Sequence, residues 1–363
     1  MTVSIGSEMY ANIKEGSWFT QFGNGCNPWM ARYVYGSFFL IANLLAWAVR
    51  DYGYTTFKSM QKLKNCNVGR ECLDTLGVLR VSFGCFMFYI IMFVSTTGTS
   101  KMNGRREKWH SGWWIPKTMM MLALIVLSFF LPSKLFSIYG EIALYGAGVF
   151  LLIQLISMIT FINWVNKKCY CENSRISSLQ RRVLATFTHF LCVLAIAFLY
   201  GWYAPHMSCT LNISIISGTL GLYITMVVVS HFLTVNAGSL SSSLMGLYVI
   251  FLSWCALKSE PEENCMRKGG SDHTSKIDVL TIILKREDEK HEDDVPYGYG
   301  FFHLVFATGS MYSAMLFVGW NTNHSMQKFT IDIGWTSAYV RIVNEILALF
   351  VYGKFCYVSF TMY

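Results

Sequence analysis

IYGEIALYGAGVFLLIQLISMITFINW, residues Ile138–Trp164, is 27 residues long and carries one charged side chain, Glu141. At 1.5 Å rise per residue an α-helix of this length reaches about 40 Å. That exceeds the hydrocarbon core of a bilayer, about 30 Å, which asks for ~20 apolar residues. The stretch reads as one overlong transmembrane helix, strongly tilted or with a protruding end. Working outward from it, eight further apolar blocks read as spans: Tyr33–Val49, Thr75–Thr97, Trp113–Leu131, Val183–Gly201, Leu211–Phe232, Leu240–Leu257, Gly300–Trp320 and Trp335–Tyr352. The last is the weakest, because Arg341 and Glu345 lie inside it. The expected fold is an all-α polytopic transmembrane bundle of about nine spans with one long tilted central helix. In hydrocarbon only such closed hydrogen bonding satisfies the backbone.

Composition agrees. Hydrophobic residues make up 53% of the 363 residues and charged residues only 14%, against about 25% charged in soluble domains. The net charge of +8 is spread over short loops with no basic stripe, which argues against nucleic acid as a partner. The expected organisation is a polar N-terminal segment, 1–32, seven spans in 33–257, a polar loop with an acidic run, 258–299, and the last two spans with the C-terminus, 300–363. The N-terminal segment has no apolar core of a cleavable signal peptide. The first apolar block then directs the chain to the secretory membranes: endoplasmic reticulum, Golgi or plasma membrane.

Lys101, Arg105, Arg106 and Lys108, and Lys167, Lys168, Arg175, Arg181 and Arg182, cluster in the second and fourth loops. The positive-inside rule puts both in the cytosol, with the N-terminus. The segment Arg50–Asp74 disagrees, carrying five Lys or Arg on the opposite side. This orientation places Cys66, Cys72, Cys209 and Cys265 outside, where they either form disulfides or remain free thiols. Of the two glycosylation sequons, Asn212 abuts a helix, leaving Asn323 as the candidate.

Ionisable and polar residues within spans are costly and are candidate sites. Arg80 shares a helix face with Gly77 and Gly84; it meets a lipid phosphate, meets a buried carboxylate, or snorkels to the headgroups. Arg341 and Glu345, four apart, are placed to pair along one face. His189, His231 and His303 read first as interhelical hydrogen bonders. Small or weakly polar residues form three stripes: Gly140, Ala143, Ala147 and Gln154; Ser214, Ser217, Gly221 and Thr225; Gly300, His303, Ala307, Ser310 and Ala314. Such stripes either let helices approach closely or face a groove for lipid headgroups. The run Arg286–Asp294 reads as a solvated linker. No cysteine–histidine spacing suggests zinc, no EF-hand spacing suggests calcium, and no nucleophile, phosphate-loop or dinucleotide signature occurs in a suitable context. The expectation is a protein that is not an enzyme and uses no cofactor or metal.

Several segments resemble the serine incorporator family, also called TMS or tumour-differentially-expressed membrane proteins. They are VLRVSFG (Val78–Gly84), HSGWWIPK (His110–Lys117), GAGVFLLIQL (Gly146–Leu155), LYVIFLSWCALKSEP (Leu247–Pro261), YGYGFFHLVFATGSMYSAMLFVGW (Tyr297–Trp320) and DIGWTSAYVRIV (Asp332–Val343). The resemblance implies about ten helices in two subdomains separated by one long tilted helix. It also implies serine incorporation into phosphatidylserine and sphingolipids, lipid scrambling, or both. Arg80, Gln154, His303, Arg341 and Glu345 become candidates for a lipid groove. The implied partners are membrane phospholipids, L-serine and lipid-synthesising enzymes, and a homo-oligomer is compatible with the chain. The competing expectations are a secondary transporter of serine, a non-catalytic scaffold for lipid-synthesising enzymes, and a degraded, inactive family member. The chain departs from the family pattern in lacking its cysteine-rich N-terminal segment. It also shortens one family helix to Ile277–Leu284, about 12 Å at helical rise, and its C-terminal end diverges.

Overall fold

The computed structural model describes residues 28–57, 69–99, 105–170, 175–233, 238–261, 298–320 and 331–361. Among them are ten helices and no strand: α1 Pro28–Phe57, α2 Gly69–Thr96, α3 Arg105–Ser111, α4 Trp114–Ser128, α5 Ser133–Tyr170, α6 Arg175–Tyr203, α7 Thr210–Leu233, α8 Gly238–Lys258, α9 Tyr299–Val318 and α10 Trp335–Thr361. Seven are long and apolar enough to cross a bilayer, or up to eight spans if the bent pair α3–α4 counts as one. α10 is a continuous helix of 27 residues but is not among those seven.

The apolar side chains point the opposite way from those of a soluble protein. The span Arg181–Tyr203 has a mean hydropathy of 2.1, yet only 28% of its most apolar stretch is buried. Phe187, Phe190, Val193 and Phe198 are all exposed on it. Water does not tolerate apolar surface on that scale; acyl chains do. The protein is therefore an integral multi-pass membrane protein.

The chain forms two compact units, with the division falling inside α5. α5 is 38 residues long, about 57 Å at helical rise, and so longer than the apolar stretch alone suggested. The first unit contains α1–α4, the start of α5 and α9; the second contains the rest of α5, α6, α7, α8 and α10.

Each unit is built around its most buried spanning helix. In the first unit α2 is enclosed by α1, α4 and α9. Gly84 of α2 lies so close to α4 that a Cβ there would stand 2.6 Å from Ile125 Cα. In the second unit α8 is enclosed by α6, α7 and α10. Its opening serines, Ser241, Ser242 and Ser243, are buried, and Ser243 Oγ meets Thr188 Oγ1 of α6 at 2.6 Å. Hydroxyls in hydrocarbon need partners, so a serine-rich helix is stable inside a bundle rather than on its lipid-facing rim.

The third expected span, Trp113–Leu131, is corrected. α4 has only 15 residues, about 22 Å, and α3 joins it at a 69° bend. Trp113 sits at the bend in the left-handed region with φ 58°. The bend frees carbonyls, and Lys117 Nζ takes them up, donating to His110 O at 3.0 Å and Gly112 O at 2.6 Å. A lysine four residues past the break is what allows the chain to turn within a membrane protein.

Candidate functional site

The first unit gathers polar groups in two places. His110 Nδ1 and His303 Nε2 lie 3.1 Å apart, and the His110 ring stacks on Tyr299 at 3.9 Å. Tyr35 donates to His110 O, and Tyr89 donates to Tyr35 O. The Lys117 ammonium lies 4.5 Å from the centre of the Trp114 ring and 5.1 Å from that of Trp109. Tyr35, Tyr89, His110, Lys117 and His303 are all buried, so this cluster ties α1, α2, the α3–α4 break and α9 together and offers no open face. A narrow crevice also runs between α1, α2 and α9 past Asn43, Ser82, Ser310 and Ser313.

Among the described residues Arg80 is bound by backbone carbonyls and not by a buried carboxylate. Its Nη1 donates to Ser128 O and Phe129 O at 2.8 and 2.7 Å, and its guanidinium lies over Phe136. It caps the C-terminal carbonyls of α4, the end at which a helix dipole favours a cation. Arg50 does the same for α9, donating to Phe317 O at 3.0 Å while paired with Asp51. Both Arg50 and Asp51 are buried. Counting Arg50 as a loop charge was an error, and α1 running on to Phe57 is the reason.

In the second unit the expected Arg341–Glu345 pair is not made. Arg341 Nη2 binds Asp332 Oδ2 at 2.6 Å, and Trp320 Nε1 donates to Asp332 Oδ1. Asp332 adopts φ 60°, which turns its carboxylate back onto α10. Glu345 instead points between α7 and α8. Its Oε2 lies 3.0 Å from Thr219 Oγ1, Thr219 meets Ser253 Oγ at 2.9 Å, and Glu345 Oε1 has no hydrogen-bond partner. Neighbouring Asn344 donates to the Tyr248 hydroxyl. Gln154 is half-buried on α5.

The three stripes separate by exposure. Gly140, Ala143 and Ala147 are buried, as are His303, Ala307, Ser310 and Ala314 on α9; these are packing faces. Ser214, Ser217, Gly221 and Thr225 are exposed. Nothing stands within 4 Å of a Cβ built on Gly221 or its neighbour Gly218. The stripe covers 11 residue steps on a membrane-spanning helix, about 16 Å at helical rise. Ser217 and Thr225 donate their hydroxyl protons to Ile213 O and Gly221 O of their own helix. Such back-bonding leaves only acceptor lone pairs facing outward. Tyr200 of α6 meets Ser217 Oγ at 2.8 Å, which adds a phenol to the edge of the stripe.

Of the lone histidines, His189 bridges Tyr223 and Ser239, whereas His231 is exposed. Asn212 is buried and donates to Tyr203 O. Cys209 is disulfide-bonded. Cys66, Cys265, Asn323, Ile277–Leu284 and Arg286–Asp294 lie outside the described residues, as does the side chain of Cys72.

The chain matches a family model described as serine incorporator (Serinc) over residues 16–285 and 274–358. The two stretches overlap at residues 274–285. A probable serine incorporator of Dictyostelium discoideum is 26% identical over 80% of this chain and 81% of its own length. Serine incorporator 3 of Mus musculus is 27% identical over 56% of this chain and 46% of its own. Membrane protein TMS1 of Saccharomyces cerevisiae is 24% identical over 80% of this chain and 60% of its own. With this match running through both helical units, the chain belongs to the serine incorporator family.

Proposed function

We propose that this protein is a non-catalytic lipid-handling protein of the secretory membranes that lets phospholipid headgroups pass the bilayer along α7. The carrying observation is the exposed Ser214–Ser217–Gly221–Thr225 stripe on a helix otherwise suited to acyl chains. A charged group at the bilayer centre costs at least about 2.5–3.5 kcal/mol. A column of hydroxyl acceptors, with water between, lowers that cost while the tails stay in lipid. Acceptor lone pairs suit ammonium donors, so ethanolamine and serine headgroups should cross faster than choline, which has no N–H. The test is a dithionite-quenching assay of fluorescent phospholipids in reconstituted vesicles. The wild-type protein should exchange lipid between leaflets, and the quadruple leucine variant at Ser214, Ser217, Gly221 and Thr225 should lose at least tenfold in rate. Exchange no faster than in empty vesicles would sink the proposal.

The names of the relatives, serine incorporators, support a second role in serine incorporation, for which we propose phosphatidylserine and sphingolipids as the products and lipid-synthesising enzymes as the partners. Labelled serine should then enter these lipids faster in cells expressing the chain. Such an increase with the quadruple variant as well would separate this role from lipid exchange.

A further inference from the structure

We propose that Glu345 is a proton-binding site in the membrane-spanning part of the second unit, holding one proton as a neutral carboxylic acid bonded to Thr219. This goes beyond lipid handling and does not rest on it. The inference comes from counting hydrogens. Thr219 Oγ1 lies 2.9 Å from Ile215 O, 2.9 Å from Ser253 Oγ and 3.0 Å from Glu345 Oε2. A hydroxyl has one proton to give and two lone pairs to receive with. Thr219 is the donor toward Ser253 Oγ as well as toward Ile215 O, so its one proton is already shared between two acceptors while its lone pairs are open. Glu345 Oε2 gains a full hydrogen bond there only by donating, which it can do only when protonated.

The ionised alternative is poor. Glu345 is 2% exposed, and its Oε1 has no hydrogen-bond partner. A carboxylate with a single hydrogen bond and no cation is the kind of buried charge that proteins neutralise instead. The nearby cation, Arg341, is held by Asp332 at 2.6 Å. The other ionisable groups facing the site are Cys255 and Tyr248 of α8, with Lys258 beyond. α7 carries no charged residue but His231, near its far end, and the part of α5 packed here carries none. Nothing in this set supplies a positive charge to Glu345, so a proton from water must.

The site sits where α7, α8 and α10 meet, so loss of the proton puts an uncompensated charge into that seam. The sign follows. A folded state that binds one proton more than the unfolded state loses stability as pH rises above the ordinary glutamate value of about 4.3.

The test uses the full chain in nanodiscs. At neutral pH the infrared spectrum of the wild-type protein should contain a protonated-carboxyl carbonyl band that Glu345→Gln lacks. The unfolding midpoint of the wild type should fall with rising pH by one proton's worth of slope more than that of Glu345→Gln. Thr219→Val, which keeps the acid but removes its acceptor, should keep the band and shift its frequency. The proposal is overturned if the wild-type band is absent at neutral pH. It is equally overturned if the neutral Glu345→Gln isostere fails to fold, or if exchanging sodium for choline at constant ionic strength shifts the wild-type midpoint but not that of Glu345→Gln. The last result would make the ligand an alkali cation.

Discussion

Replacing Gly84 by alanine tests the α2–α4 contact most directly. The added Cβ would stand 2.6 Å from Ile125 Cα and 2.9 Å from Ile125 N. These are backbone atoms, so no rotamer change relieves the clash. Carbon atoms rest at about 3.5–4.0 Å, and α4 must therefore retreat by about 1 Å. Its C-terminal carbonyls hold Arg80 at 2.7 and 2.8 Å, and a 1 Å retreat takes both bonds beyond useful length. Overpacking costs about 1–3 kcal/mol, and hydrogen bonds to a charged group are worth about 1.5–3 kcal/mol each. Part of this is offset by the helix preference for alanine over glycine, about 1 kcal/mol. The net expectation is a loss of at least about 3 kcal/mol. Gly148 on α5 is the control, because a Cβ there meets nothing within 4 Å; its alanine variant should be neutral or gain up to about 1 kcal/mol. Equilibrium unfolding in mixed micelles of rising SDS fraction, followed by tryptophan fluorescence, measures both. A Gly84→Ala protein as stable as wild type, or a Gly148→Ala protein less stable than Gly84→Ala, would refute the reasoning.

Arg341→Gln should cost about 1–3 kcal/mol by stranding the mostly buried Asp332 carboxylate, and adding Asp332→Asn should restore part of it in a double-mutant cycle. In detergent, a maleimide reagent should modify half-buried Cys255 before buried Cys85, Cys192 or Cys356, and should reach Cys209 only after reduction; labelling of Cys209 without reductant would contradict the disulfide. Tyr35→Phe should cost about 0.5–1.5 kcal/mol, because Lys117 still serves His110 O; a loss above about 3 kcal/mol would mean that the phenol, not the lysine, secures the bend.

All nine apolar blocks are helical in the structure, and the overlong block is the helix shared by both units. These features were legible because a bilayer imposes a length and a composition on each span. The break at Gly112–Trp113 was not, since it opens a block that is apolar apart from Lys117; only the fold shows that ammonium on the freed carbonyls. A lysine a few residues inside an apolar block, after a glycine and two tryptophans, was the available signal. Arg80 was flagged for its charge, but its carbonyl partners are 48 and 49 positions away. Arg341 and Glu345 were paired by helical spacing alone, and the preference of Asp332 for a left-handed turn redirected the arginine.

From the sequence alone follow the solvent and the helical class, because each rests on patterns that one helix carries by itself, and the family, because its segments recur along the whole chain. Which small-residue stripe is a packing face and which is open, and which ionisable side chain caps a helix and which is left with an unmatched oxygen, were decided by tertiary structure. The three stripes are nearly alike in composition. Only the position of each helix relative to its neighbours determines whether Ala307 or Gly221 meets another helix or meets lipid.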